Sequence, residues 1–296
     1  MTIFTVRVDT STERGWNGNA ALDGPLPSAF VPELPEVETV RRGLEPLVVG
    51  RTITGAGSHP STKFSAAPAA VGAQIDGVGR RGKYLVIGLA DARSLVVHLG
   101  MTGQLRVDPP DTEPDPYDRA WWVFDDGRRL GFRDVRRFGR IAVVGDDLSA
   151  LPTLASLGPE PFDPEFTPEQ LWIALRRSRR HVKTQLLGQR VVAGVGNIYA
   201  DEALWRARIN PAARTVTRAA AARLHTAVIE VLTAGIENGG TTLRDYRTVD
   251  GGSGANQHHL DCYGRGGLPC PRCQTTLRKR VLDARGTTWC PVCQPR

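Results

Sequence analysis

Val31-Pro32-Glu33-Leu34-Pro35-Glu36-Val37-Glu38 is the stretch on which the reading of this chain turns. Its two prolines pre-set φ for a helix start, and its carboxylates fill a first turn where the helix dipole favours negative charge. From Glu36 the apolar positions Val37, Val40, Leu44 and Leu47 keep a helical spacing, and Gly50 follows as a stop. The pattern predicts an amphipathic helix that begins thirty-one residues into a chain of 296. A proline-marked helix start carries no function by itself, so its meaning depends on the remainder of the chain.

A chain of this length holds two domains with cores of their own. The composition, 41% hydrophobic, is that of an ordinary globular protein, and no apolar run reads as a bilayer span. The net charge of +7 favours a polyanionic partner without naming one. Residues 1–31 carry a net charge of −1, so the basic footprint lies entirely beyond them. Thirty-four of the 38 basic residues are arginine, a bias that with abundant Ala, Gly and Pro points to a GC-rich genome. Five cysteines, four of them in C-x-x-C pairs, read as metal ligands in a reducing compartment. The first thirty residues lack a basic segment followed by an apolar one, so the expected location is cytoplasmic.

Residues 1–31 have little periodicity and a turn-rich end, and are expected to be disordered or foreign to the mature protein. Short strand-like runs follow the first helix at 83–89, 94–99, 103–107, 120–125, 128–133 and 140–144. Turns such as Asp126-Gly127 separate several of them, which predicts an antiparallel sandwich over 32–145. Residues 146–166, rich in Pro, Gly and Asp, read as a hinge. The period then changes to helical. Thr167-Pro168-Glu169-Gln170 is a capping-box sequence opening a helix at 168–178, and further helices are expected near 182–188, 198–207 and 217–237. The Gly-rich segment from Gly239 to about residue 260 reads as a mobile loop, and a Cys-rich tail spans 262–296.

Cys270-x-x-Cys273 and Cys290-x-x-Cys293 enclose sixteen residues, a length that suits a β-hairpin. Four thiolates close a tetrahedral zinc site with no open position, which is structural rather than catalytic. Two unpaired redox-sensitive turns are the competing reading. Cys262 lies outside the pattern and reads as a small buried apolar residue. The hairpin carries Arg278, Lys279, Arg280 and, in an Asp-Ala-Arg-Gly turn, Arg285. Such a stiffened basic tip suits a phosphate backbone or groove, though a solvated turn reads the same way locally.

Gly194-Val195-Gly196-Asn197 precedes a predicted helix, with Asn197 as its cap and its first amides suited to a phosphate. A plain turn and cap has the same sequence. Arg176, Arg177, Arg179, Arg180 and Lys183 lie shortly upstream, which favours a DNA clamp. His98-Leu99-Gly100-Met101 and Arg136-Arg137-Phe138-Gly139 each end in a turn. Met101, Arg136 and Phe138 suit a wedge into a base stack, against the plainer reading of Met101 and Phe138 as core. Lys83, after Arg80-Arg81-Gly82, reads equally as a phosphate contact or part of a solvated charge run.

The landmarks stand in order: PELPEVE at 32–38, RRGKYL at 80–85, HLGMTG at 98–103, RRFG at 136–139, VVAGVGNIYADEAL at 191–204, GGTTLRDY at 239–246, YGR at 263–265 and the four-cysteine finger. Together they resemble the formamidopyrimidine-DNA glycosylase / endonuclease VIII family of base-excision repair enzymes, from Pro32 to the C-terminus. The resemblance implies an α+β fold. An N-terminal antiparallel β-sandwich with a helix would be followed by a helix-two-turns-helix domain over 167–261 and a β-hairpin zinc finger over 262–296. It implies Pro32 as a covalent nucleophile forming a Schiff base, Glu33 as general acid/base, and Glu36 as a supporting carboxylate. Lys83 and Arg285 would serve phosphate binding and the β- and δ-eliminations. Lys183 and Asn197 would bind the DNA backbone, and Met101, Arg136 and Phe138 would fill the gap left by a flipped base. The implied partner is duplex DNA containing oxidised bases, the cofactor one structural zinc, and the protein a monomer.

PELPEVE, with Leu34 third, resembles the purine-directed branch, which implies 8-oxoguanine and formamidopyrimidines as substrates. Three positions depart from the family pattern. Asn256 stands where an aromatic is common, Tyr117-Asp118-Arg119 replaces a His-x-His-like segment at a DNA-facing position, and Gly188 replaces a common Asp. Two rival readings follow, an endonuclease VIII-like enzyme for oxidised pyrimidines and a silent damaged-DNA-binding paralog. The paralog applies if residues 1–31 are retained, because peptide-bonded Pro32 has no usable lone pair. Valine directly before the motif is how a GTG initiation codon reads when taken as internal, and residues 1–31 are expected to be a mis-called start.

Overall fold

The computed structural model describes residues 31–243 and 245–296; the reading of 1–31 as a leader falls, but for Val31, outside them. The opening motif forms helix α1, Leu34–Val48, entered from Glu33 in extended conformation. Its apolar stripe is divided between two cores. Val37, Val40, Leu44 and Val48 pack into the core of the N-terminal half, whereas Leu34 packs with the C-terminal helices. One helix therefore belongs to both halves of the molecule.

Eight antiparallel strands form a two-sheet sandwich: β1 Ile53–Ser58, β2 Ile75–Arg81, β3 Tyr84–Leu89, β4 Ser94–His98, β5 Gly103–Asp108, β6 Asp118–Phe124, β7 Arg129–Asp134 and β8 Arg140–Val144. One sheet runs β2-β3-β4-β8 and the other β1-β6-β7-β5. Alternate residues of β3 and β6 point inward, as a half-buried strand requires, and supply Leu85, Ile87, Trp122 and Phe124 to the core. The Asp126-Gly127 turn is a hairpin as its sequence predicts, with Gly127 at φ +81°. Strands β1 and β2 were not legible in the sequence. They read Ile-Thr-Gly-Ala-Gly-Ser and Ile-Asp-Gly-Val-Gly-Arg-Arg, glycine-rich runs without strand propensity. Packing explains one of these glycines: a Cβ on Gly57 would lie 2.2 Å from the Trp121 ring.

The C-terminal half contains α2 Pro152–Ala155, α3 Pro168–Arg176, α4 Val182–Leu187, α5 Asn197–Arg206 and α6 Arg218–Glu237. The Thr167 hydroxyl caps α3 by accepting from Gln170 N at 3.2 Å, while its own N–H bonds Glu165 O rather than completing a capping box. Helix α6 is long and apolar enough to cross a bilayer by composition. Its Leu224, Val228, Val231 and Leu232 are instead part of the helical core, with α6 packed against α3 and α5. The last element is a hairpin, β9 Arg278–Leu282 with β10 Arg285–Trp289.

The segment 146–166, expected to be a hinge, is tied to both halves. Glu160 bonds Arg80, Arg81 and Gly82 N, and Gly158 N bonds Gln189 O. Arg80 and Arg81 are thereby absorbed into internal ion pairs, Arg80 also with Glu38, and form no solvated charge run.

Truncating Leu34, fully buried in the helical core, should cost about 2–5 kcal/mol. Urea unfolding of Leu34→Ala should show this lower stability, with the helical half detached first; a midpoint equal to wild type would contradict the shared-helix packing.

Candidate active site

The N-terminus of α5 receives the Glu33 side chain. Gly196 is its N-cap, and the Glu33 carboxylate accepts Gly196 N at 2.6 Å, Ile198 N at 2.8 Å and Tyr199 N at 3.3 Å. Free amides at a helix start favour an anion. The anion here is the protein's own. The phosphate cradle read into Gly194–Asn197 is corrected to this extent: the Gly196, Ile198 and Tyr199 amides are taken by Glu33, and Asn197 is the first helical residue rather than the cap. Both glycines are required by the close approach. A Cβ at Gly196 would lie 2.2 Å from the Glu33 carboxyl carbon, and one at Gly194, where φ is +86°, 2.4 Å from Leu34.

Glu36 lies behind Glu33 and is fully buried. It accepts Glu33 N at 2.8 Å, Thr241 N at 2.7 Å and the Tyr199 hydroxyl at 2.9 Å. Burial, reinforced by the nearby Glu33 charge, raises its carboxyl to about 7 against the pull of these donors. Burial also raises Glu33, opposed first by Lys83 and then by the three amides. Lys83 is lowered by burial, with the two glutamates pulling the other way. Each group thus sits nearer neutrality than in water, a condition suited to proton transfer.

A cavity opens over this cluster. Val31, Glu33, Lys83, His98, Asn197 and Arg285 are among its walls, so residues distant in sequence meet at one place. Asn197 lines this cavity, and its side-chain amide, though buried, has no hydrogen-bond partner among the described residues. His98 was quoted in a motif but not singled out as a site residue. Its Nδ1 accepts Gly100 N at 3.2 Å, and burial, then Lys83 and Arg140, lower it to about 4, so the ring is neutral at neutral pH.

Lys183 is not where the sequence reading placed it. It is 1% exposed, and its ammonium is spent on Asp201 at 2.7 Å, Gly286 O at 2.8 Å and Thr287 Oγ1 at 3.0 Å. With its three donors taken, it braces α4, α5 and the C-terminal hairpin from within. Asp201 also accepts Thr288 N at 2.9 Å. Around the hairpin turn, Asp283 bonds His181 and Thr184 at the start of α4. Arg285 follows that turn, so its backbone is gripped on both sides.

Met101, Arg136 and Phe138 share one end of the sandwich. Gly100, at φ +69°, packs so closely on the Phe138-Gly139 peptide that a Cβ would lie 2.5 Å from it. Buried Asp134 bonds Thr102 Oγ1 and Gly139 N, and Thr102 Oγ1 in turn accepts Arg136 N at 3.1 Å. The two turns are therefore one rigid feature. Phe138 is 47% exposed beneath the Arg136 guanidinium, and Met101 is only partly buried, so neither is plain core. Tyr117, whose carbonyl accepts Asp134 N, is exposed at the same end and lies under Arg119 and Arg133.

The four sulfurs of Cys270, Cys273, Cys290 and Cys293 lie within 4.8 Å of one another. Trp205 Nε1 and Cys293 N donate to Cys270 and Cys290 sulfurs at 3.4 and 3.3 Å, bonds that favour thiolates. Such a set fits one tetrahedral zinc with Zn–S bonds of about 2.3 Å and leaves no position open. Cys262 is buried in the same small core but is not one of the four clustered sulfurs.

Three family models match in series. They are the formamidopyrimidine-DNA glycosylase N-terminal domain over residues 31–141, its H2TH domain over 157–247, and a zinc finger found in FPG and IleRS over 267–296. The chain belongs to the formamidopyrimidine-DNA glycosylase family. Relatives of that name from Deinococcus radiodurans and Thermus thermophilus are 44% and 46% identical, over 90% and 89% of this chain and 98% of each of theirs. The crystal structure of MutM (Fpg) from Thermus thermophilus matches with a TM-score of 0.82 at 46% identity, covering 89% of this chain and 98% of that one. Lactococcus lactis Fpg in complex with abasic-site DNA matches at 0.81 with 36% identity, covering 89% and 100%. The family is one of DNA-repair glycosylases that bind DNA and carry a zinc finger.

In this member of the glycosylase family, sequence reasoning missed Asp134, Tyr199, Asp201 and Glu202. The signal available was a pair of adjacent acids, Asp201-Glu202, within the otherwise apolar Ile198–Leu204 run. Glu202 accepts Asp261, Cys262 and Tyr263 amides and so holds the entry to the finger.

Lys183→Met should leave Asp201 buried without its counter-charge and cost about 3–5 kcal/mol, whereas adding Asp201→Leu should recover part of that loss. Thermal melts of the three variants check this. Chelation of zinc should unseat the hairpin and with it Arg285; DNA affinity unchanged in the metal-free protein would count against this role.

Proposed function

We propose that this chain is a bifunctional DNA glycosylase and lyase that removes 8-oxoguanine and formamidopyrimidines from duplex DNA, with the Pro32 nitrogen as nucleophile. The observation that carries the reading is the convergence of Val31, Glu33, Lys83, Asn197 and Arg285 on one cavity, with buried Pro32 bonded between the first two. A secondary amine attacks C1′ of the sugar, the bond to the base breaks, and the departing base takes a proton. Loss of the ring-oxygen bond then leaves an iminium between Pro32 and C1′. The iminium acidifies C2′–H, whose proton passes to a base, and the 3′-phosphate departs; a second elimination releases the 5′-phosphate. Glu33 is suited to proton transfer at the sugar, because it lines the cavity and its carboxyl is raised by burial. Lys83 and Arg285 supply positive charge for the departing phosphates, and Asn197 a free amide for the backbone.

This chemistry requires the Pro32 nitrogen to be free. Bonded to Val31 it is a tertiary amide. The working N-terminus in this proposal is therefore Pro32, reached from an initiation codon at position 31. Two observations support it. About nine-tenths of this chain accounts for almost the whole length of the relatives, and the N-terminal family match begins at residue 31. Val31 also lines the cavity, so its removal would both free the nitrogen and clear space beside it. The preference for oxidised purines rests on the PELPEVE form of the motif, and on Lactococcus lactis Fpg having been solved with a benzyl-Fapy-dG duplex.

Borohydride trapping on an 8-oxoguanine:cytosine duplex tests the proposal. A chain beginning at Pro32 should cross-link, the same chain with residues 1–31 retained should not, and Glu33→Gln should slow base release by about 10²–10⁴-fold. No cross-link from the Pro32 chain would leave the DNA-binding paralog, and trapping only on oxidised pyrimidines would reassign the substrate.

A further inference from the structure

The hydrogen bonds behind Glu36 do not end at Tyr199 and Thr241. Asn256 is 4% exposed, and its Nδ2 donates to the Tyr199 hydroxyl at 3.3 Å and to Thr241 Oγ1 at 2.9 Å. Its Oδ1 accepts Asn238 Nδ2 at 3.3 Å, at the end of α6. Asn256 also sits where both ends of the loop 239–260 cross. Asn256 N bonds Gly240 O at 3.1 Å, Ala255 N bonds Asn238 O at 2.8 Å, and a Cβ on Gly254 would lie 2.1 Å from Gly240 O. A buried primary amide whose three contacts are all polar is a specific linkage, because losing one partner leaves the others unsatisfied.

We propose that Asn256 is a positioning residue that seats the 239–260 loop on the Glu36 carboxyl group and, through it, holds the backbone of Glu33 beside Pro32. The path is continuous: Asn256 to Tyr199 and Thr241, these to Glu36 Oε1, and Glu36 Oε2 to Glu33 N. The inference rests on the glycosylase and lyase reading above. It assigns a task to a position whose polar side chain the family resemblance left unexplained. An aromatic there offers no amide donor to Tyr199.

The charge state of Glu36 makes the link measurable. Its ionised form accepts all three donors, and protonation turns one oxygen into a donor, so the Glu33 N–H or the Tyr199–Thr241 pair loses an acceptor. The groups acting on Glu36 are Glu33, Lys83, Tyr199 and Tyr246. Asn256 donates to Tyr199 and so strengthens that hydroxyl as a donor to the carboxylate. Removing Asn256 weakens support for the ionised form, and the Glu36 carboxyl rises further.

The test uses the chain beginning at Pro32 and borohydride trapping on an abasic-site duplex, followed across pH. Asn256→Leu should move the acid limb upward by about 0.5–1 pH unit, with little loss on the alkaline plateau. Asn256→Asp, which keeps the shape and adds a negative charge, should move it further the same way. Tyr199→Phe should shift it upward as well, and the double variant Asn256→Leu/Tyr199→Phe should shift it less than the sum of the two. Uniform loss at every pH, or additive shifts, would overturn the positioning role and leave Asn256 a packing residue. Absence of any trapping by the unsubstituted chain would instead be a failure of the functional reading, which separates the two.

Discussion

A carboxylate on the start of a helix holds this molecule together at its working point. Glu33 places its two oxygens on three amides at the start of α5, a contact between the N-cap of α1 and the heart of the C-terminal half. The contact satisfies amides that a helix start otherwise leaves open, and neutralises part of the cost of burying a charge. It also fixes the residue bonded to Pro32. The same carboxylate is thus both an interdomain fastener and a wall of the cavity. Gly194 and Gly196 follow from it, because the approach leaves no room for a Cβ at either.

Around that contact the buried charges divide into two groups with different effects. Glu33, Glu36 and Lys83 share one desolvated cluster, and burial pushes each away from its ordinary ionisation. Lys183 and Asp201 form a second, closed pair, whose partners Gly286 O, Thr287 Oγ1 and Thr288 N follow directly after Arg285. The first cluster borders the cavity and suits chemistry. The second lies away from it and acts through geometry: it sets the direction in which the metal-stiffened hairpin projects its arginine. Coulomb attraction in a low-dielectric interior is strong in both, but only an exposed edge makes it usable by a substrate.

The sandwich end built from Gly100, Thr102, Asp134 and Gly139 shows the same economy of parts. Asp134 contributes no chemistry of its own, yet it ties the turn carrying Met101 to the one carrying Arg136 and Phe138. Exposed apolar and cationic side chains on a rigid turn suit insertion into a base stack better than the same residues on a loose loop.

What the sequence determined by itself was whatever depends on local periodicity or on ligand spacing. The helical stripe of α1, the capped helices α3 and α6, the Asp-Gly hairpin and the four-cysteine finger were legible for that reason, and the ordered motifs named the family. What only tertiary structure decided was which polar groups are spent internally. Lys183 and the amides after Gly194 both read as DNA contacts, since a lysine beside arginines and a glycine turn before a helix look the same whether solvated or buried. Their internal partners lie far away in sequence: Asp201 and Gly286 for the lysine, Glu33 for the amides. The glycine-rich strands β1 and β2 were hidden for a related reason. Their pairing partners and the Trp121 ring that excludes a Cβ at Gly57 lie in other strands, and no local pattern records them.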